Sequence, residues 1–251
     1  MRYYQTEGVV LRTYDLGEAD RIVVLLSPLE GAIRAVAKGV RRPRSKLAGL
    51  VQLFSQANFM FYRGRQLDTI TQGDMISAFR ELRGDLDRMA SAAYVAELVG
   101  EVSRERQVAV ELYQLLLVTF QRLSQSPLDE LDRVLRRFEL GLLDVSGYSP
   151  QLNHCVHCGQ QVEPFVFSTS DGGIVCNECR STRQGRILKP ATLAQLQALQ
   201  KLPFSRLGVL RLSRGAELEI GNLLQEFIQY RLEFRPKSLA ALMEIRNLKK
   251  E

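Results

Sequence analysis

The chain has 251 residues, 45% of them hydrophobic and 25% charged, a globular composition that excludes a disordered or low-complexity protein. Its 34 Lys and Arg against 28 Asp and Glu leave a net charge of +6, which permits anionic partners without requiring them. The start, Met1-Arg2-Tyr3-Tyr4-Gln5-Thr6, lacks the apolar core of an export leader, and no run of 18 or more apolar residues exists. A cytoplasmic protein with no membrane partner is therefore expected.

The first 80 residues read as strands. Gly8–Tyr14, Arg21–Leu26, Gly31–Ala37, Phe59–Tyr62 and Leu67–Thr71 are short runs rich in β-branched and aromatic residues, separated by Gly, Pro and Ser. Five such runs without helical periodicity predict a small barrel. From about Ile76 to Val145 the pattern turns helical. Met89, Ala93, Ala96 and Val99 recur at helical spacing, then Leu112, Leu115, Thr119 and Leu123, then Leu131, Val134, Phe138 and Leu142. At least three helices packed as a bundle are expected, the third opening at Ser126-Pro127 as cap and first-turn proline. Residues 151–186 form a cysteine-bearing insert. Helices return at Leu193–Leu199, Gly215–Phe234 and Ser238–Leu248. Charge divides similarly: net +5 over 1–80, −4 over 81–150 and +5 over 151–251. The acidic middle is better suited to a protein partner than to a polyanion.

The sharpest local signal is Cys155-Val156-His157-Cys158 followed by Cys176-Asn177-Glu178-Cys179, a CxxC pair of pairs with 17 residues between. In a reducing compartment this spacing predicts a zinc ribbon. Cys155, Cys158, Cys176 and Cys179 would fill a tetrahedral shell and leave no position for an activated water, so one structural zinc is expected. His154 and His157, the only histidines, lie beside the cysteines and are read as bystanders. Arg180 stands after the second pair where Gly159 follows the first, so that knuckle should be less regular.

The second signal is charge. Between Gly31 and Arg65 stand eight cations and no acid: Arg34, Lys38, Arg41, Arg42, Arg44, Lys46, Arg63 and Arg65. Gly39 and Pro43 make the dense part a flexible loop. Such a loop beside a small barrel resembles a groove for single-stranded nucleic acid. Of the nearby aromatics, Phe59 and Phe61 share a core-facing side of one strand, and Tyr62 points the other way as a base-stacking candidate.

No GxxxxGK[ST] phosphate loop and no HxE deaminase signature occurs. Two histidines beside the cysteines cannot build a Ser-His-Asp or Cys-His site. A non-enzymatic nucleic-acid binder is expected. The alternatives are a zinc-ribbon RNA-binding or transcription-associated protein, a zinc-dependent nuclease and a pure scaffold.

Taken together, several segments resemble the bacterial RecO recombination-mediator family. They are Tyr4-Gln5-Thr6-Glu7-Gly8-Val9-Val10-Leu11-Arg12, Gly17-Glu18-Ala19-Asp20-Arg21-Ile22-Val23, Ala35-Val36-Ala37-Lys38-Gly39-Val40-Arg41-Arg42, Phe138-Glu139-Leu140 with Gly147-Tyr148-Ser149-Pro150 and the first CxxC, and Arg235-Pro236-Lys237-Ser238-Leu239. They fall in the family's order along essentially the whole chain. The resemblance implies an α+β protein: an OB-fold β-barrel over 1–80, a helical domain in two parts over 81–150 and 189–251, and an inserted four-cysteine zinc finger over 151–188. It also implies binding of single- and double-stranded DNA and annealing of complementary strands. The partners implied are RecR, the C-terminal tail of single-stranded-DNA-binding protein and, indirectly, RecA, acting at the nucleoid.

Overall fold

The computed structural model describes residues 2–161, 164–180 and 185–248. They form two compact units, one of residues 1–128 with 236–251 and one of 129–235.

The first unit begins with five strands: β1 (Tyr3–Leu16), β2 (Asp20–Ser27), β3 (Gly31–Ala37), β4 (Gln56–Tyr62) and β5 (Asp68–Ser77). They close into a barrel in the order β1-β2-β3-β5-β4, with β3 and β5 parallel and the other pairs antiparallel. This is an OB-like barrel. Its β1 is 14 residues long, twice the run that composition alone marks out. Its first half, Tyr3–Val9, pairs with β4 and its second half, Val9–Leu16, with β2, and near the changeover Leu11 is an extra residue between the pairs Val10↔Leu25 and Arg12↔Val24. The bulge buries three successive side chains, Val9, Val10 and Leu11. Val10 joins the barrel core with Val23, Leu25, Ile33, Phe59, Phe61 and Ile70, while Leu11 approaches Gly100 on the helical side. A single strand thus serves two cores, which a period-2 pattern cannot show.

The connector from β3 to β4 is a chain of turns. Val40, Leu50 and Val51 are buried in the barrel core, with Leu47 packed against it. Leu50 and Val51 N–H both donate to the Leu47 carbonyl. The connector therefore plugs the barrel with its apolar residues and displays the basic ones.

Helices α1 (Arg80–Gly84), α2 (Leu86–Val102) and α3 (Val110–Gln125) follow, and α7 (Lys237–Leu248) returns to pack on α2. Asp85 caps α2 by accepting the Arg88 N–H at 3.0 Å. On α3, the Phe120 ring meets both Phe54 and Phe79 edge-on, at 5.3 and 5.8 Å.

The second unit contains α4 (Leu131–Val145), α5 (Pro190–Lys201), α6 (Arg214–Leu232) and a small sheet of β6 (Phe165–Ser168), β7 (Gly173–Cys176) and β8 (Arg186–Ile187). Ser126 and Pro127 do not open α4. The Ser126 N–H closes α3 on the Arg122 carbonyl, and a short 3-10 turn over Leu128–Glu130 precedes α4. Helices α2 and α3 pack in the first unit, and α4 packs on α5 and α6 in the second. The helices between 81 and 150 therefore build two cores. Between α4 and α6 the Arg136 guanidinium sits 2.9 Å from the Glu139 carboxylate, both buried. Gly221 of α6 leaves room for Arg136, whose Nη1 lies 3.0 Å from where a Cβ would stand.

Candidate metal centre and nucleic-acid interface

The four cysteines come together in the second unit. Cys155 lies in a tight turn closed by its N–H to the Gln160 carbonyl and by the Gly159 N–H to its own carbonyl. Gly159 takes a φ of 71°, the left-handed conformation that favours glycine. Val156 N–H donates to the Ile174 carbonyl and fastens this turn to β7, which ends at Cys176. Cys179 lies on a 3-10 turn over Glu178–Arg180, so the second knuckle closes without a glycine. The frame behind them is tight. A Cβ on Gly173 would meet the Gln151 carbonyl oxygen at 2.3 Å, so only glycine lets the chain approach there.

All four Sγ atoms lie within 4.8 Å of one another, and Cys158 and Cys176 Sγ are 3.7 Å apart. With metal–sulfur bonds of about 2.3 Å, a tetrahedron has sulfur–sulfur edges of about 3.8 Å. The donor set therefore fits a soft, four-coordinate ion such as zinc. Ionisation tells the same story. Burial raises the Cys155 thiol, but N–H groups of Cys158, Cys176 and His157 aimed at its sulfur bring it down to about 6. The neighbouring sulfurs of Cys176 and Cys158 push Cys179 up to about 12. Four thiolates cannot coexist at this spacing without a cation. His157 Nε2 turns to Asp171 Oδ1 at 3.2 Å, and His154 is exposed.

Among the described residues, the cations expected to contact DNA divide into exposed ones without a side-chain ion pair and committed ones. Arg34, on β3 opposite Val24, is exposed, as are Lys38, Arg42, Arg44, Lys46 and Arg65. Arg41 is not free. Its guanidinium donates to the Gly17 carbonyl at 3.1 Å and pairs with Asp15 at 3.6 Å. Arg63 pairs with Glu30 at 3.1 Å and lies over the Tyr4 ring at 4.5 Å. The segment expected as a flexible loop is pinned by hydrogen bonds. Gly39 N–H donates to Asp20 Oδ1, Arg41 N–H to the Ala19 carbonyl, Arg42 N–H to the Gly39 carbonyl and Ser45 N–H to the Arg42 carbonyl.

Phe59 and Phe61 are fully buried. Tyr62 is half-buried. Its hydroxyl accepts from Arg2 at 3.0 Å and its ring meets Tyr3 edge-on at 5.2 Å. A stacking candidate that the strand pattern did not single out is Tyr14, the last residue of the Gly8–Tyr14 run; Tyr3, at the other end of β1, is exposed too but packs on Tyr62. Tyr14 is 50% exposed and faces outward from β1 opposite Ile22, which in turn is opposite Val36. Outward residues Tyr14, Ile22, Val24, Arg34 and Val36 thus share the β1-β2-β3 face, and Lys38 follows directly after β3. The missed signal was the place of Tyr14 near the end of a β1 longer than its apolar run.

The cysteine region carries cations as well: Arg186 is exposed and 3.6 Å from Glu226, and Lys189 is exposed. Arg180 is half-buried, and Arg183 lies outside the described residues. Among the described residues no helix is long and apolar enough to cross a membrane.

Comparison with known proteins agrees in both halves of the chain. The family model for the N-terminal part of recombination protein O matches residues 1–79, and that for its C-terminal part matches residues 83–240. Proteins named DNA repair protein RecO align along nearly the full length. The one from Roseiflexus sp. (strain RS-1) is 38% identical over 98% of this chain and 87% of its own. The one from Desulforudis audaxviator (strain MP104C) is 37% identical over 98% of both. The one from Symbiobacterium thermophilum is 38% identical over 98% of this chain and 99% of its own.

Proposed function

The chain belongs to the RecO family of DNA repair proteins, and from that premise we propose that it is a recombination mediator without catalytic chemistry of its own. It binds single- and double-stranded DNA and anneals complementary strands. With RecR, it helps load RecA onto strands coated by single-stranded-DNA-binding protein, whose C-terminal tail it engages. It does so in the cytoplasm, at the nucleoid. The observation that carries this reading is the pinned connector of the barrel, which presents Lys38, Arg42, Arg44 and Lys46 beside the exposed β1-β2-β3 face.

Phosphates of one strand would run along Arg34, Lys38, Arg42, Arg44 and Lys46, with Arg65 at the β4-β5 turn. Tyr14 offers a ring face to a base, and every base can use it because every base has a π-face. Arg41 supports the connector from beneath. Arg180, Arg186 and Lys189 of the second unit are candidates for a second strand. Neutralising both backbones lowers their repulsion, so pairing proceeds without nucleotide hydrolysis. With about five phosphates neutralised, log affinity should fall against log salt with a slope of about −3.5. Cys155, Cys158, Cys176 and Cys179 would hold one zinc ion, whose contribution is charge compensation and a rigid frame.

The decisive experiment is annealing of two complementary oligonucleotides, each precoated with single-stranded-DNA-binding protein, without ATP. Acceleration supports a mediator. No acceleration, with naked strands equally unaffected, removes the annealing reading and brings the RNA-binding alternative forward.

A further inference from the structure

At the β4-β5 end of the barrel the basic surface turns mixed. A cleft there is lined by Tyr4, Arg34, Arg63 and Arg106 together with the acids Glu30, Asp68 and Glu105. Asp68 is already used twice, accepting the Tyr4 hydroxyl and the Gly64 N–H. Glu105 makes no side-chain ion pair among the described residues. Of these acids, Glu30 alone pairs with a cation of the candidate interface. Arg63 reaches both of its carboxylate oxygens from a single nitrogen, Nη2, at 3.2 and 3.1 Å.

The mode of that contact matters. A guanidinium can present two parallel N–H groups to a carboxylate or a phosphate. Here it uses one nitrogen, and the pair is partly exposed, with side-chain accessibilities of 36% and 28%. Such a pair contributes little to stability. Meanwhile the rest of Arg63 is held in place, its guanidinium over Tyr4 and its backbone N–H on the Arg2 carbonyl at 2.7 Å. Glu30 is fixed as well: its carbonyl accepts the Arg106 N–H at 2.8 Å, and the nearby Ala32 N–H donates to the Arg104 carbonyl. Gly31 at φ 64° has no room for a Cβ, which would lie 2.2 Å from the Arg104 carbonyl oxygen. The loop over 104–107 therefore holds the Glu30 segment against the barrel rather than leaving it to drift.

We propose that Glu30 is an internal competitor for DNA phosphate, occupying Arg63 in the free protein and yielding it only when a strand lies along the barrel. This role presupposes the DNA-binding reading above. An arriving phosphodiester must displace a carboxylate that is already in place, so the site at Arg63 adds less affinity than a free arginine would. In an annealing protein that is useful, because a strand held at every cation would not be handed on. Glu30 thereby sets how much of the basic surface a strand can engage, and the β4-β5 end is where contact lapses first.

The test is Glu30→Gln, nearly isosteric, read by fluorescence anisotropy of a labelled oligothymidylate across a salt series. Freed from the carboxylate, Arg63 should tighten binding about threefold to tenfold at low salt and steepen the log–log slope by about 0.7, one further phosphate. Two companions separate this from a general loss of negative charge. Glu105→Gln removes the same charge from the same cleft without touching Arg63 and should leave the slope unchanged. Glu30→Gln with Arg63→Gln should return to the slope of the unmodified protein. Equal gains from Glu30→Gln and Glu105→Gln would overturn the competitor role. So would unchanged or weaker binding by a Glu30→Gln protein of unchanged melting temperature. If the unmodified protein shows no salt-sensitive binding at all, the DNA-binding reading falls, and this role falls with it.

Discussion

The Glu97 carboxylate receives the backbone N–H of Ser238 at 2.8 Å and that of Lys237 at 3.2 Å, with Arg12 of β1 at 3.6 Å. A side chain of α2 thus caps the first turn of α7, and the charge sits where the helix dipole favours it. Burial opposes ionisation of Glu97, but these hydrogen bonds and Arg12 outweigh it and hold its carboxyl below the usual range. The linkage follows. A carboxyl lowered on folding contributes stability above its unfolded value, and that contribution disappears as pH falls through its folded value. Docking of α7 should therefore be firm at neutral pH and weaken in acid. Glu97→Gln should raise hydrogen exchange in α7 at pH 7 and make the acid dependence shallower. Equal protection of α7 in both proteins across that range would show that apolar packing alone holds it.

Phe120 anchors two backbone irregularities. Phe54 and Phe79, which both meet its ring, have φ of 70° and 41°, costly for residues with a side chain. One ends the barrel connector and the other leads from β5 into α1. Packing on a fully buried ring offsets that strain. Phe120→Ala should cost about 3–5 kcal/mol in denaturant unfolding of the first unit, and should also loosen the connector that carries Lys38 and Arg42. Weaker DNA binding at unchanged salt slope would separate this indirect effect from removal of a phosphate-binding cation.

The proposed zinc site makes a stoichiometric prediction. Protein purified without chelator should carry one zinc per chain, released by a thiol-reactive mercurial and measured with a colorimetric chelator. Cys158→Ser with Cys179→Ser should abolish it. Because a structural metal site is formed only on folding, its removal should lower the melting temperature of the second unit. An apoprotein that melts unchanged would mean that the sheet of β6, β7 and β8 stands without the ion.

The CxxC pairs are legible in the sequence because their geometry is local: two residues between thiols in a tight turn, whatever surrounds them. The strands and their core residues are legible for a similar reason. What escapes are relationships across long sequence separations. Arg63 and Glu30 are 33 residues apart, so a run free of acids looks wholly available for phosphate. Tyr14 looks like a strand's last residue until pairing with β2 places it opposite Ile22. The connector looks flexible because Gly39 and Pro43 stand in it, while the plugging by Val40, Leu50 and Val51 depends on the closed barrel. Pro127 has the local pattern of a helix start, yet it stands next to Leu128, where the first compact unit gives way to the second.

The division of cations into free and committed ones yields the last prediction. Lys38, Arg42 and Arg44 are exposed and without a side-chain ion pair among the described residues, whereas Arg41 holds Asp15 and the Gly17 carbonyl. Replacing Lys38, Arg42 and Arg44 together with Ala should weaken binding alike for all sequences and flatten the salt slope by about 2, since each phosphate left unneutralised lowers it by about 0.7. Arg41→Ala alone should lower stability slightly and change the slope little. Tyr14→Ala should act differently again, costing about 1–3 kcal/mol of binding with the slope intact, because stacking releases no counterions. Tyr62→Ala, whose ring is already packed on Tyr3, should cost less. A flattened slope from Arg41→Ala equal to that from a free cation would mean that the Asp15 pair opens to DNA. A negligible effect of Tyr14→Ala would move the stacking surface off the β1-β2-β3 face.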